Sequence, residues 1–276
     1  MDWDTTPVNT YLPEFETNDP VLTSQLTMQD LLSHRTVRTF AFILCAYLPC
    51  KESSVTDQTT TITLHQNFPD LDLSWMWGNE TRRNLIKRIR HVPVVSKLSS
   101  KVNYNNVMYC VAGEAAANVA GVPIEQLVHN KIFKPLGFSS MGFTMGEMSK
   151  SSDFAVPFLT ETYEDAVAGR FVELPLDGAA EKSAAAGDMY SNVLDLARWG
   201  QVVMNEGAQN GKQILSKEGV AMTLTGHTIY DPKVRDLDRG LSDQYGMGWL
   251  LDSYKGNNLY EHSKDAPDTS PYVLTR

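Results

Sequence analysis

Apolar positions recur at helical spacing in several stretches of the chain. Thr27 is followed at the third position by Asp30 and then by Leu31-Leu32, a capping-box-like pair, so residues 7–36 read as an approach loop and a short helix. Leu85, Ile86 and Ile89 with basic residues between them predict a helix over 84–90. Residues 107–120 are apolar along most of their length and stop at Gly121, which predicts a longer helix. Ile124, Leu127, Val128 and Ile132 return every three or four positions and mark the buried stripe of an amphipathic helix ended by Pro135 and Gly137. Leu196, Trp199 and Val203 do the same ahead of Asn205-Glu206-Gly207. Residues 139–190, rich in Ala, Ser and Gly, read as loops with brief strands, and 245–251 with 258–262 as paired antiparallel strands. One stretch fits neither period. Across 37–66 an apolar run, Phe40-Ala41-Phe42-Ile43-Leu44, passes into Ser53-Ser54 and a Thr-rich 59–63. No internal repeat is evident.

Composition narrows the field. At 276 residues and 42% hydrophobic content the chain can bury a substantial core. A formal charge of −9 and an isoelectric point near 5.1 argue against nucleic-acid or anionic-membrane partners, which need clustered Lys and Arg, and favour a neutral or cationic small molecule. Arg82, Arg83, Lys87, Arg88 and Arg90 do cluster, but a solvated helix face explains them. Cys45, Cys50 and Cys110 have neither Cys-x-x-Cys spacing nor an even count, so a reducing compartment is expected. No secretory signal is visible at Met1-Asp2-Trp3-Asp4, and the apolar run 40–48 is too short to span a bilayer. The expected location is cytoplasmic.

Several catalytic patterns are missing. No serine has glycines two residues before and after it; there is no His-Glu-x-x-His, phosphate-cradling loop or dinucleotide fingerprint. His34, His65, His91, His129 and His227 show no ligand spacing, so neither a metal nor another cofactor is expected. What stands out is Tyr104-Asn105-Asn106, opening the 107–120 helix, followed by Gly121 and Ile132-Phe133-Lys134-Pro135-Leu136-Gly137-Phe138. The tripeptide alone is compatible with a half-buried tyrosine bonded to the backbone. With these flanks, with Pro7-Val8-x-x-Tyr11-Leu12-Pro13 and with 26–36, the chain resembles the serine β-lactamase-like family: class C β-lactamases, penicillin-binding DD-peptidases, esterases and fungal transesterases.

The resemblance implies an α+β fold, an α/β sandwich of an antiparallel sheet beside an all-helical lobe. The whole of 1–276 would be a single domain, incomplete at both ends, with a mostly helical lobe over 67–205 and a remnant of the sheet over 240–276. It implies a serine hydrolase or transesterase acting on an ester, amide or lactam carbonyl, with Tyr104 moving protons and Asn106 holding the substrate amide. The nucleophile in the family is a Ser-x-x-Lys helix, which supplies the base one turn from the serine. None of the 13 lysines here has a serine three residues earlier. The 7–36 segment follows that helix in the family, so the chain is expected to begin downstream of its catalytic serine. A family strand bearing Lys-Thr-Gly or His-x-Gly aligns with His262-Ser263-Lys264, making His262 a candidate substrate-binding residue. Lys264 and Asp268 stand where glycines are common, and a side chain at the former position would obstruct the cleft or divert the strand; an ordinary, partly exposed histidine is the alternative. The chain stops at Arg276, before the remaining edge strand and terminal helix of the family.

Deleting 37–66 would join Thr36 to Asn67-Phe68-Pro69-Asp70-Leu71-Asp72-Leu73-Ser74-Trp75 and restore the family pattern. This segment is therefore read as a retained intron of a fungal gene, with a genuine surface insertion as the alternative. Two functions stay open: a hydrolase or transesterase acting on a polyketide or peptide ester of secondary metabolism, and a catalytically inactive truncated paralogue with at most a binding role.

Overall fold

The computed structural model describes residues 1–36, 80–92, 102, 104–156, 158–160, 162–173, 184–229, 244–262 and 272–275. The segment 37–66 lies outside the described residues.

Three short helices open the chain: α1 (Val8–Tyr11), α2 (Pro20–Thr23) and α3 (Met28–Leu32). The capping box expected at Thr27 is present in both directions: the Asp30 amide donates to Thr27 Oγ1 at 3.3 Å and the Thr27 amide donates to Asp30 Oδ2 at 3.0 Å. Helix α4 (Arg82–Arg88) starts two residues before the expected 84, because Thr81 caps it by accepting from the Asn84 amide; a tighter turn over Ile89–His91 follows.

The central helix α5 (Asn106–Ala120) is buried along most of its length and ends at Gly121, whose φ of +70° only glycine adopts without strain. It packs against α1, α3 and α4 in a core that contains Val8, Leu12, Phe15, Leu31, Ile86 and Val111. Helix α6 (Ile124–Val128) continues through a π turn at His129–Phe133 and a last turn at Lys134–Leu136. The apolar stripe anticipated this helix but not the wide turn. Pro135 has no N–H with which to close an i→i−4 bond, and the ladder widens just ahead of it. Arg82 joins three helices by pairing with Glu114 of α5 at 2.8 Å and Glu125 of α6 at 2.5 Å. No single helix among the described residues is long and apolar enough to cross a membrane, and α5 and α6 are bent by 73° relative to each other.

Among the described residues between 139 and 190 most are loop, with a two-residue hairpin pairing Phe158–Leu159 with Val172–Glu173 and a bridge from Gly142 to Tyr190; two short helices, Met145–Met148 and Tyr163–Val167, were not expected. Helix α7 (Val193–Met204) buries Val203, as its pattern suggests, whereas Leu196 and Trp199 are only half-buried. The deeply buried member of its first turn is Asp195, which accepts the amides of Ser139 and Ser140 at 3.2 and 3.0 Å and so ties α7 to the loop after α6.

Helix α8 (Lys217–Thr223) leads into a five-stranded antiparallel sheet in the order β1 (Thr228–Ile229), β2 (Gln244–Tyr245), β3 (Leu250–Tyr254), β4 (Asn257–His262) and β5 (Tyr272–Thr275). The sheet thus begins at Thr228, earlier than the expected 240. The stretch 245–251 is not one strand. Gly246 and Trp249 close a turn with a 2.8 Å backbone bond and Gly248 at φ +83°, so Tyr245 pairs with Leu250 within the same stretch. Strands β3 and β4 meet through Lys255-Gly256, both at positive φ, the two-residue geometry that matches strand twist.

Candidate active site

The segment entering α5 organises the site. Asn105 is the N-cap, its side chain accepting from the Met108 amide at 3.3 Å, and it is 2% exposed. Capping at 105 makes Asn106 the first helical residue and leaves Tyr104 outside the helix, 37% exposed. Sequence reasoning placed both asparagines in a loop; the structure divides them into a buried cap and a side chain at the edge of a cavity.

That cavity has a volume of about 200 Å³. Tyr104, Asn106 and His262, the three residues singled out from sequence, all line it. His262 reaches it from the end of β4, its ring 6.2 Å from that of Tyr104. Tyr109 and Tyr245 line it too, with Gly248 of the β2–β3 turn; the opposite wall is Ala184–Gly187 with Met189. No Asp, Glu, Lys or Arg is among the described lining residues.

The wall can stand where it does because Gly113 has no side chain. A Cβ built there would lie 2.5 Å from Ala185 Cβ, well inside van der Waals contact. Tyr109, further along α5, donates its hydroxyl to the Leu32 carbonyl at 2.5 Å. Burial pushes its phenol well above the ordinary tyrosine range, with hydrogen bonding to Tyr245 pulling the other way.

His34, passed over in the sequence as one of several scattered histidines, sits among these aromatic rings. It is 1% exposed, and its ring centroid lies 4.3 Å from Tyr104, 4.9 Å from Tyr109 and 4.9 Å from Tyr245. Its Nδ1 accepts the Asn105 amide at 3.1 Å, so the neutral ring carries its proton on Nε2. Burial, aided by the nearby His262, lowers its pKa from 6.5 to about 3, which keeps it uncharged. Tyr109, Tyr245 and His34 were not found from sequence because the contacts that gather the tyrosines around His34 are tertiary; the Tyr104-to-Tyr109 spacing at one helix entrance was a weak local signal. Among the described residues no group of three His, Cys, Asp or Glu side chains could hold a metal ion.

The Beta-lactamase family model matches residues 44–272. The chain belongs to the beta-lactamase family. The match begins inside the 37–66 segment, so part of that segment is covered by the family pattern. Among curated relatives, an Aspergillus campestris protein named Unguisins hydrolase ungD' is 22% identical over 267 residues, which are 95% of this chain and 42% of that protein. Among solved structures, the octameric penicillin-binding protein homologue from Pyrococcus abyssi superposes with a TM-score of 0.65 at 22% identity, covering 94% of this chain and 50% of that one. A D-stereospecific amidohydrolase from Streptomyces sp. gives 0.68 at 18% identity, covering 100% of this chain and 72% of that one. This beta-lactamase-family chain therefore spans less than half of its fungal relative, and its α+β fold, helices beside an antiparallel sheet, is that of the penicillin-binding group.

Proposed function

We propose that the cavity is the acid/base and substrate-holding side of a serine acyl-transfer site acting on an uncharged ester, amide or lactam carbonyl. The observation that carries this reading is the convergence of Tyr104, Asn106 and His262, from a helix entrance and a distant strand, on one cavity without an Asp, Glu, Lys or Arg among its described lining residues. Acyl transfer through serine needs a proton to leave the nucleophile and return to the departing group. Tyr104, exposed at the cavity edge, is the group that moves it. Asn106 offers an amide that can both donate to and accept from a substrate amide, and His262 flanks the same acyl group from the sheet. An aromatic, uncharged enclosure favours a neutral, largely apolar acyl group. The name of the fungal relative, Unguisins hydrolase, supports hydrolysis; a polyketide or peptide ester of fungal secondary metabolism is the substrate proposed here.

A second reading rests on one sequence fact: no lysine of these 276 residues follows a serine at the third position. On that reading the chain binds the acyl compound without turning it over. Two measurements on the purified chain separate them. Titration with N-acetylphenylalaninamide, followed by NMR, should move signals of Tyr104, Asn106 and His262 together; unmoved signals at all three would sink the site assignment itself. Turnover of a p-nitrophenyl ester, or stoichiometric serine labelling by a fluorophosphonate, would remove the binding-only reading.

A further inference from the structure

We propose that His34 is the positioning residue for Tyr104, fixing through its ring and its Nδ1 the segment that presents the phenol to the cavity. The inference rests on the acid/base reading of Tyr104 and extends it to a residue outside the cavity lining.

The turn that carries His34 is held from three sides. The Leu32 carbonyl accepts the Tyr109 hydroxyl of α5 at 2.5 Å. The Ser33 carbonyl accepts the Thr228 hydroxyl of β1 at 2.7 Å, and the Ser33 hydroxyl donates back to the Gln29 carbonyl at 2.6 Å. His34 itself sits at φ +53°, a left-handed backbone that non-glycine residues seldom adopt. A backbone so anchored gives the imidazole little freedom, and the ring is placed against Tyr104 while Nδ1 receives the Asn105 amide.

Histidine is an expensive choice here if the fold alone is served. Its Nε2 is buried and has no hydrogen-bond partner among the described residues, although a donor in that position ordinarily finds one. Glycine or asparagine would suit the left-handed backbone better. A phenylalanine could lie against Tyr104 but would leave the Asn105 amide without its acceptor at a site 2% exposed. An asparagine could accept that amide but has no ring to lie against the phenol. An imidazole combines an acceptor for the Asn105 amide with a ring whose centroid lies 4.3 Å from that of Tyr104, tilted by 38°. The tautomer matters for the same reason. With the Asn105 N–H directed at Nδ1, a second proton on the ring would set two donors against each other, and a metal at Nε2 would require the same displaced proton. The titratable groups facing the ring are Tyr104 on the loop, Tyr109 on α5, Tyr245 on β2 and His262 on β4, with no Asp or Glu among them.

The test uses the full chain labelled with 3-fluorotyrosine, the Tyr104 resonance being the one lost in Tyr104→Phe, together with amide exchange at Asn105. In His34→Phe the Asn105 amide should exchange at least tenfold faster and the Tyr104 resonance should shift or broaden. In His34→Asn, which tolerates the left-handed backbone and keeps an acceptor, Asn105 should regain most of its protection while the Tyr104 resonance still shifts. A merely structural histidine would lower the melting temperature without singling out these two signals. Folded variants in which both signals match the wild type would overturn the proposal. If His34→Phe does not fold, His34→Asn alone decides: an unmoved Tyr104 resonance overturns it, a shifted one supports it. Neither readout requires turnover, so an inactive chain leaves this inference standing, and its failure leaves the role of Tyr104 in proton transfer to be judged by kinetics.

Discussion

Gly113→Ala tests whether the cavity depends on the close contact between α5 and its far wall. The new methyl carbon would start 2.5 Å from Ala185 Cβ and 3.6 Å from Ile124 Cγ1. Carbon atoms settle at about 3.5–4.0 Å, so helix and wall must part by roughly 1 Å. Overpacking of this kind costs about 1–3 kcal/mol, and the better helix propensity of alanine returns about 1 kcal/mol. The net destabilisation should be about 1 kcal/mol, a fall of a few degrees in melting temperature for a chain of this length. Binding should suffer more than stability, because Ala185 and its neighbours form the cavity wall. A shift of roughly 1 Å in a site can cost about two orders of magnitude in function, and we expect at least tenfold weaker binding of N-acetylphenylalaninamide by calorimetry. Gly121→Ala is the control: at φ +70° with nothing within 4 Å, it introduces backbone strain without a new contact at a residue outside the cavity lining, so stability should fall while binding holds. If Gly113→Ala binds the probe as tightly as the wild type, the wall is not set by this contact and the reasoning fails.

Acid should expose the cost of keeping His34 neutral. Its folded pKa near 3 lies below the 6.5 of the unfolded chain, so between those values the unfolded state binds a proton that the folded state refuses, and stability falls as pH falls. His34 alone should contribute a slope of up to about 1.4 kcal/mol per pH unit, and urea unfolding from pH 7 to pH 4 should show that slope flattened in His34→Asn. Arg82→Ala should cost about 3 kcal/mol by removing one partner of a largely buried pair with Glu114. Arg83→Ala, at a side chain 46% exposed, should cost under about 1 kcal/mol; equal losses in thermal melts of the two would refute the ranking.

What the sequence disclosed follows the range of the forces involved. Capping and periodicity are local, so Thr27 with Asp30, the extent of α5 and the stripe from Ile124 to Ile132 could all be read directly. The π turn before Pro135 and the turn at Gly248 arise from backbone geometry inside stretches whose side-chain pattern looked continuous. Asp195 went unnoticed in the sequence, since the amides it accepts belong to residues 139 and 140. The three candidate residues could be singled out because they fall within motifs, and all three line one cavity. His34, Tyr109 and Tyr245 were not, since nothing local records that the turn after α3, helix α5 and strand β2 meet around one ring.

Tyr104 is proposed to move the proton in an acyl transfer at this cavity. The most direct test is the turnover of a p-nitrophenyl ester by the chain joined to a helix supplying Ser-x-x-Lys, with residues 37–66 removed, compared with the same protein carrying Tyr104→Phe. A positioned proton carrier contributes about 10²–10⁴-fold. Loss of the one hydroxyl should lower kcat by at least about 10², with the melting temperature unchanged. An active protein in which Tyr104→Phe retains full kcat would contradict it and leave Tyr104 as a packing residue at the cavity edge.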